Sequence, residues 1–173
     1  GCARTINVLD GNWKNLHMSV SDFQKLVDGL PSTGTALLYG LGESSLHPSL
    51  PEIVRIAHAS KKFNKVALTL NLQSRNHDYY LDLFKQGLDY AFVSVDSLDP
   101  VIANRMRAGT KVEILKDRLR FLSHHLNKGF RHKITIRMVV GPENVGSVPY
   151  TLNELNQLGK FQVHIVFFCD WGG

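Results

Sequence analysis

Cysteine is scarce in this 173-residue chain: Cys2 and Cys169 are the only two, far apart and with no C-x-x-C pair. That argues against a disulfide framework and makes a reducing compartment the default. Long apolar runs are lacking too. None approaches the roughly 18 to 20 residues of a membrane span, and no charged-then-apolar signal opens the chain, so a soluble, cytoplasmic protein is expected, with no membrane partner. There is no low-complexity run, and 43% hydrophobic against 20% charged residues disfavours disorder, collagen-like and coiled-coil structure. Charge of one sign is in only mild excess, +5 with a pI near 9.3, which falls well short of a basic arm. What remains is a globular chain of the length of one ordinary domain, taken as residues 1–173.

Short apolar runs of strand length recur at Thr35 to Gly40, Lys65 to Asn71, Tyr90 to Asp96, Lys133 to Val140 and Gln162 to Phe168. Helical spacing lies between them. Ser49 to Ser60 carries an apolar stripe of Leu50, Ile53, Val54, Ile56 and Ala57 behind a Ser with Glu52 three residues on, a capping-box pattern. Asp78 to Gln86 places Tyr80, Leu81, Leu83 and Phe84 together before Gly87, and Val112 to Asn127 repeats the pattern with Ile114, Leu115, Leu119 and Leu122. Ser19 to Leu30 and Ser147 to Leu158 are two further helices, and Asp99-Pro100 reads as a cap with Pro at the first helical position. Strand alternating with helix is the signature of parallel βαβ units, so the fold class is α/β. A partial (β/α) barrel fits the even spacing better than a doubly wound sheet, since no G-x-G-x-x-G follows the first strand.

In such folds the residues just beyond each strand carry function. Here they are Gly40, Leu41, Gly42 and Glu43 after the first run, Asn71 after the second, Ser94 and Asp96 at the end of the third, Gly141 to Asn144 after the fourth, and Cys169-Asp170 after the fifth. Glycines let a ligand approach the backbone, while Asn, Ser and Asp read hydroxyls, amines and carboxylates, so a polar, zwitterionic small molecule suits the rim. Taken singly, each of these positions reads as readily as a tight turn or a helix cap.

These residues resemble the radical SAM enzymes. YGLGESSLHPSLPEIVRIA, from Tyr39 to Ala57, is similar to the G-x-G-E-P-x-x-H-P-x-L-x-E-I segment of that family; LTLN resembles its T-x-N-G strand end; FVSVDSLDPVIANRMRAG, from Phe92 to Gly109, resembles V-S-L-D-S-x-D-P followed by R-x-G. The resemblance implies that backbone groups of Gly40, Leu41, Gly42 and Glu43 hold the amino end of S-adenosylmethionine. It also implies that Asn71, Ser94 and Asp96 face its ribose or methionyl part, that Arg107 meets its carboxylate, and that Asn144 joins the ligand shell. The implied activity is reductive cleavage of S-adenosylmethionine by a 4Fe-4S cluster to a 5'-deoxyadenosyl radical that takes hydrogen from a substrate. Flavodoxin or ferredoxin would be the reductant.

The chain departs from that pattern in places. Of the motif C-x-x-x-C-x-x-C only its last position, Cys2, is present; the resemblance implies that the other two and the first strand would lie upstream of Gly1. Three thiolates are needed to hold such a cluster, so the chain is expected to be an amino-terminally truncated core, inactive by itself while its full-length parent is a radical SAM oxidoreductase or transferase. Ser44 stands where the family has Pro and Leu72 where it has Gly. Trp171-Gly172-Gly173 resembles the point where members with an auxiliary-cluster extension of the SPASM or twitch type continue, which favours a peptide or protein substrate over another small molecule. Without such a cluster the same rim would serve as a binding module for S-adenosylmethionine or a nucleotide.

The remaining features read as structural. Cys169 is most simply a small buried hydrophobe. The eight histidines show no ligand spacing, and His124 and His125, being adjacent, should point to different faces of a helix. His47 belongs to the structure or the site margin. The basic residues from Arg105 to Lys133 form solvated helix faces, and RNA binding by them is the least favoured reading.

Overall fold

The apolar periodicities that mark the strands place one face of each against a helix. The computed structural model describes residues 11, 16–40, 42–126 and 133–167. Among these, β1 (Thr33–Leu37), β2 (Phe63–Leu70), β3 (Tyr90–Ser94), β4 (Ile134–Val140) and β5 (Gln162–Phe167) form one sheet in the order β1-β2-β3-β4-β5, every pair parallel. Each crossover therefore steps to the next place in the same direction. That is the singly wound curl of a partial (β/α) barrel, in which a doubly wound reversal has no place.

The helices are α1 (Val20–Gly29), α2 (Leu50–Ala59), α3 (His77–Lys85), α4 (Pro100–Met106), α5 (Val112–His125) and α6 (Val148–Leu158). The core lies between them and one face of the sheet: Val66, Leu68 and Leu70 of β2, Ala91 and Val93 of β3, and Ile134, Ile136 and Met138 of β4 meet Val54, Tyr80, Leu115 and Leu119 from the helices. Each fully buried Leu or Ile contributes about 2 kcal/mol. Ile114, expected in the α5 stripe, is half-buried; Val112 takes its place.

Asp99 caps α4 as expected, accepting from the amides of Val101 and Ile102 ahead of Pro100. The capping box at Ser49 does not form. The Ser49 amide, which Glu52 would accept from, donates to His47 Nδ1 at 3.1 Å, and Glu52 turns instead to Arg55 at 2.5 and 2.8 Å. Gly87 ends α3 with φ of +109°, and a Cβ there would lie 2.3 Å from His58 Cγ. β1 begins two residues earlier than its apolar run, because an edge strand with exposed Thr33 and Thr35 needs no apolar residue there. The rings of His124 and His125 are not on different faces: they meet edge-on at 5.1 Å, since His125 folds back to stack on Phe121 at 3.9 Å. No helix among the described residues is long and apolar enough to cross a membrane.

Candidate functional site

β2 ends at Leu70 and β3 at Ser94, so Asn71, Ser94 and Asp96 emerge side by side at the carboxyl edge of the sheet. With Gly42, Glu43 and Arg107 they line a cleft of about 770 Å³. Thr69, Gln73 and Thr110 line it too and are not evident from the sequence alone, although Thr69 stands inside LTLN and Thr110 directly follows the R-x-G run.

Asp96 is the cleft's buried charge, its side chain only 5% exposed. Its Oδ1 accepts from the Val139 amide at 2.9 Å and its Oδ2 from Arg107 Nε at 2.5 Å, with Arg107 Nη2 3.5 Å from Oδ1. Arg107 thus neutralises Asp96 and is half in solvent, its Nη1 without a partner among the described residues. The Ser94 hydroxyl also has no partner among them.

Glu43 is a brace by its side chain. Oε1 accepts from the Ser45 hydroxyl at 2.6 Å and the Ser45 amide at 3.2 Å, and Oε2 from the Asn71 amide at 2.9 Å, tying the loop after β1 to the end of β2. Burial pushes its carboxyl above the usual range, outweighing the three hydrogen bonds that act in the other direction. An acid whose folded pKa is raised contributes stability fully below its unfolded pKa, and that contribution is lost as pH rises through the folded value. Glu43→Gln replaces one accepting oxygen by an N–H donor facing another donor, an expected loss of about 1 kcal/mol at neutral pH. The wild type alone gains from acidification, so the gap widens toward about pH 5. Urea unfolding of both proteins at the two pH values checks this, and a gap that narrows contradicts it.

The Asn71 side chain closes a local turn, Oδ1 accepting from the Gln73 amide at 2.8 Å. Over Gly40 the space is open: a Cβ there would meet no atom within 4 Å. Gly42 has φ of +115°, a conformation glycine adopts readily. Asn144, expected in the ligand shell, does not reach the cleft. It is fully buried, its Nδ2 donating to the carbonyls of Asp96 and Val139, both at 2.8 Å, while its Oδ1 accepts from the Gly141 amide. His47 ties the α1 approach to the loop, its Nε2 2.9 Å from the Met18 carbonyl and its Nδ1 accepting from the Ser49 amide.

Leu41, Cys2 and Cys169 lie outside the described residues, and among the described residues no group of three His, Cys, Asp or Glu could hold a metal. They therefore supply no ligand set for an iron–sulfur cluster. For S-adenosylmethionine the residues do fit: a Ser94 hydroxyl without a partner among the described residues, the backbone of Gly42 and a guanidinium edge at Arg107 line one cleft, matching amine, carboxylate and ribose, while Gly40 is not among the lining residues.

The profile described as Radical SAM superfamily matches residues 2–155. GTP 3',8-cyclase of Chlorobaculum tepidum is 36% identical over 93 residues, which are 52% of this chain and 27% of the cyclase. The crystal structure of methylornithine synthase superposes with a TM-score of 0.65 at 13% identity, covering 89% of this chain and 45% of that one. The chain thus spans about a quarter of the cyclase and under half of the synthase.

Proposed function

Since the chain belongs to the radical SAM superfamily, we propose that its cleft binds S-adenosylmethionine as part of an enzyme that generates a substrate radical. With a 4Fe-4S cluster, that cofactor supplies a 5'-deoxyadenosyl radical able to remove hydrogen from an unreactive carbon. The observation that carries the reading is the convergence of Gly42, Asn71, Ser94, Asp96 and Arg107 on one cleft at the strand ends.

Each residue has a task there. Gly40 and Gly42 leave backbone groups accessible to the cofactor's amine. Ser94 offers a hydroxyl that has no partner among the described residues. Arg107 presents its Nη1 edge to the carboxylate while Asp96 fixes the orientation of the guanidinium. Ser45, Glu43 and Asn71 make the rim rigid before the ligand arrives, which lowers the entropy lost on binding. A peptide or protein substrate is favoured by the resemblance of Trp171 to Gly173, which lie outside the described residues, to the start of an auxiliary-cluster extension.

Calorimetric titration of the 173-residue chain with S-adenosylmethionine tests the reading. Ser94→Ala is expected to weaken binding roughly tenfold, the worth of one hydrogen bond at about 1.4 kcal/mol. Its unfolding midpoint should not move, because the hydroxyl bonds nothing among the described residues. Absence of binding to the wild type, or equal affinity in the variant, would reject the site.

A further inference from the structure

Strand alternation sends Val93 and Ile136 to the helices, so their neighbours in sequence occupy the sheet's other, concave face. One row across that face is polar. Ser94 of β3 is in register with Arg137 of β4, and Arg137 with His164 of β5. Arg137 places its guanidinium carbon 4.1 Å from the Phe92 ring centroid. The ring is itself held edge-on by Tyr90 at 5.4 Å, with His164 at 6.1 Å on the β5 side.

This guanidinium is half-buried, and none of its N–H groups has a carbonyl or carboxylate partner among the described residues. Other cations are differently placed: Arg107 has Asp96, Lys65 has Asp89 and Arg118 donates to the Leu72 carbonyl, while Lys133, directly before β4, lies against the Phe84 ring at 5.6 Å. An aromatic ring stabilises the face of a guanidinium but leaves its in-plane donors unsatisfied. A planar fork held in one orientation, partly desolvated and lacking an anion, matches an oxyanion in two-point contact.

We propose that Arg137 anchors an acidic group, carboxylate or phosphate, of the substrate on the concave face beside Ser94. The assignment of that acid to the substrate rests on the reading of the cleft as the S-adenosylmethionine site, with the substrate approaching next to it. His164, across from Arg137 and 3.0 Å from Gln162 Nε2, flanks the same acid. Neutral substrates are thereby disfavoured.

Arginine Nε–Hε resonances of the isotopically labelled 173-residue chain report on this directly. Arg137→Gln and Arg107→Gln each remove, and so identify, one signal. Titration with inorganic phosphate or with succinate is expected to move the Arg137 signal saturably, at concentrations roughly tenfold below those affecting exposed Arg105, and to do so also with S-adenosylmethionine present. Arg137→Lys keeps the charge but loses the fork, and should lose most of that tenfold preference while remaining folded. No saturable shift with either probe overturns the inference. So does an Arg137 shift caused by S-adenosylmethionine itself that abolishes the response to phosphate and succinate, because the acid is then the cofactor's own carboxylate. Response to the oxyanions without any S-adenosylmethionine binding would instead remove the reading of the cleft and leave the oxyanion site standing.

Discussion

Asn144→Leu is expected to destabilise the fold by about 4 kcal/mol, since each buried group left without its partner costs roughly 1 to 3 kcal/mol. The two side chains share branching and heavy-atom count, but Leu is the larger, so overpacking at this fully buried position adds to the loss. What is lost is the bridge from the β4 exit to the β3 exit: the Gly141 amide loses its acceptor, and the carbonyls of Asp96 and Val139 lose a donor. Asn144→Asp should be worse, because it sets carboxylate oxygens against those two carbonyls. Urea unfolding monitored by circular dichroism measures both. The same bridge positions Asp96, so S-adenosylmethionine affinity should fall in any folded fraction of either variant. A loss under about 1 kcal/mol for Asn144→Leu would mean that the buried bonds are made elsewhere.

That role for Asn144 illustrates what the sequence can and cannot say. The positions of Asn71, Ser94 and Asp96 at strand ends were legible because each follows an apolar run whose length and alternation define the strand. The partial barrel was legible for the same reason, from helix and strand periods alternating along the chain. Partnerships were not. Nothing in the spacing of Asp96 and Arg107 shows that one neutralises the other across a short helix, and nothing marks Glu43 as the acceptor of the Asn71 amide 28 residues away. Arg137 was hidden by its surroundings, a single charge inside the apolar run Ile134 to Val140. Strict alternation would have placed it opposite Ile136 and Met138, on the face away from the helices. The capping box at Ser49 had the right residue types, but the Ser49 amide that the motif uses is taken by His47 Nδ1.

Leu72 carries the other large expected effect, and its sign is informative. It sits where the resembled family has glycine, and its backbone is left-handed, with φ of +56°, while its side chain is fully buried. Its carbonyl accepts from Arg118, which fixes the turn directly after Asn71. Leu72→Ala removes the buried side chain and keeps the unfavourable backbone, an expected loss of about 3 kcal/mol. Leu72→Gly removes more volume, yet relieves a left-handed strain of roughly 1 to 2 kcal/mol, so its expected loss is smaller, about 2 kcal/mol. In most positions glycine is the more damaging of the two replacements by roughly 0.5 to 1 kcal/mol. The inverted order, read from chemical unfolding of the pair, is therefore the signature of a left-handed residue at the rim. If glycine proves the more damaging replacement here as well, Leu72 does not hold that conformation in solution. The Asn71 turn would then be set by the Glu43 and Arg118 hydrogen bonds alone.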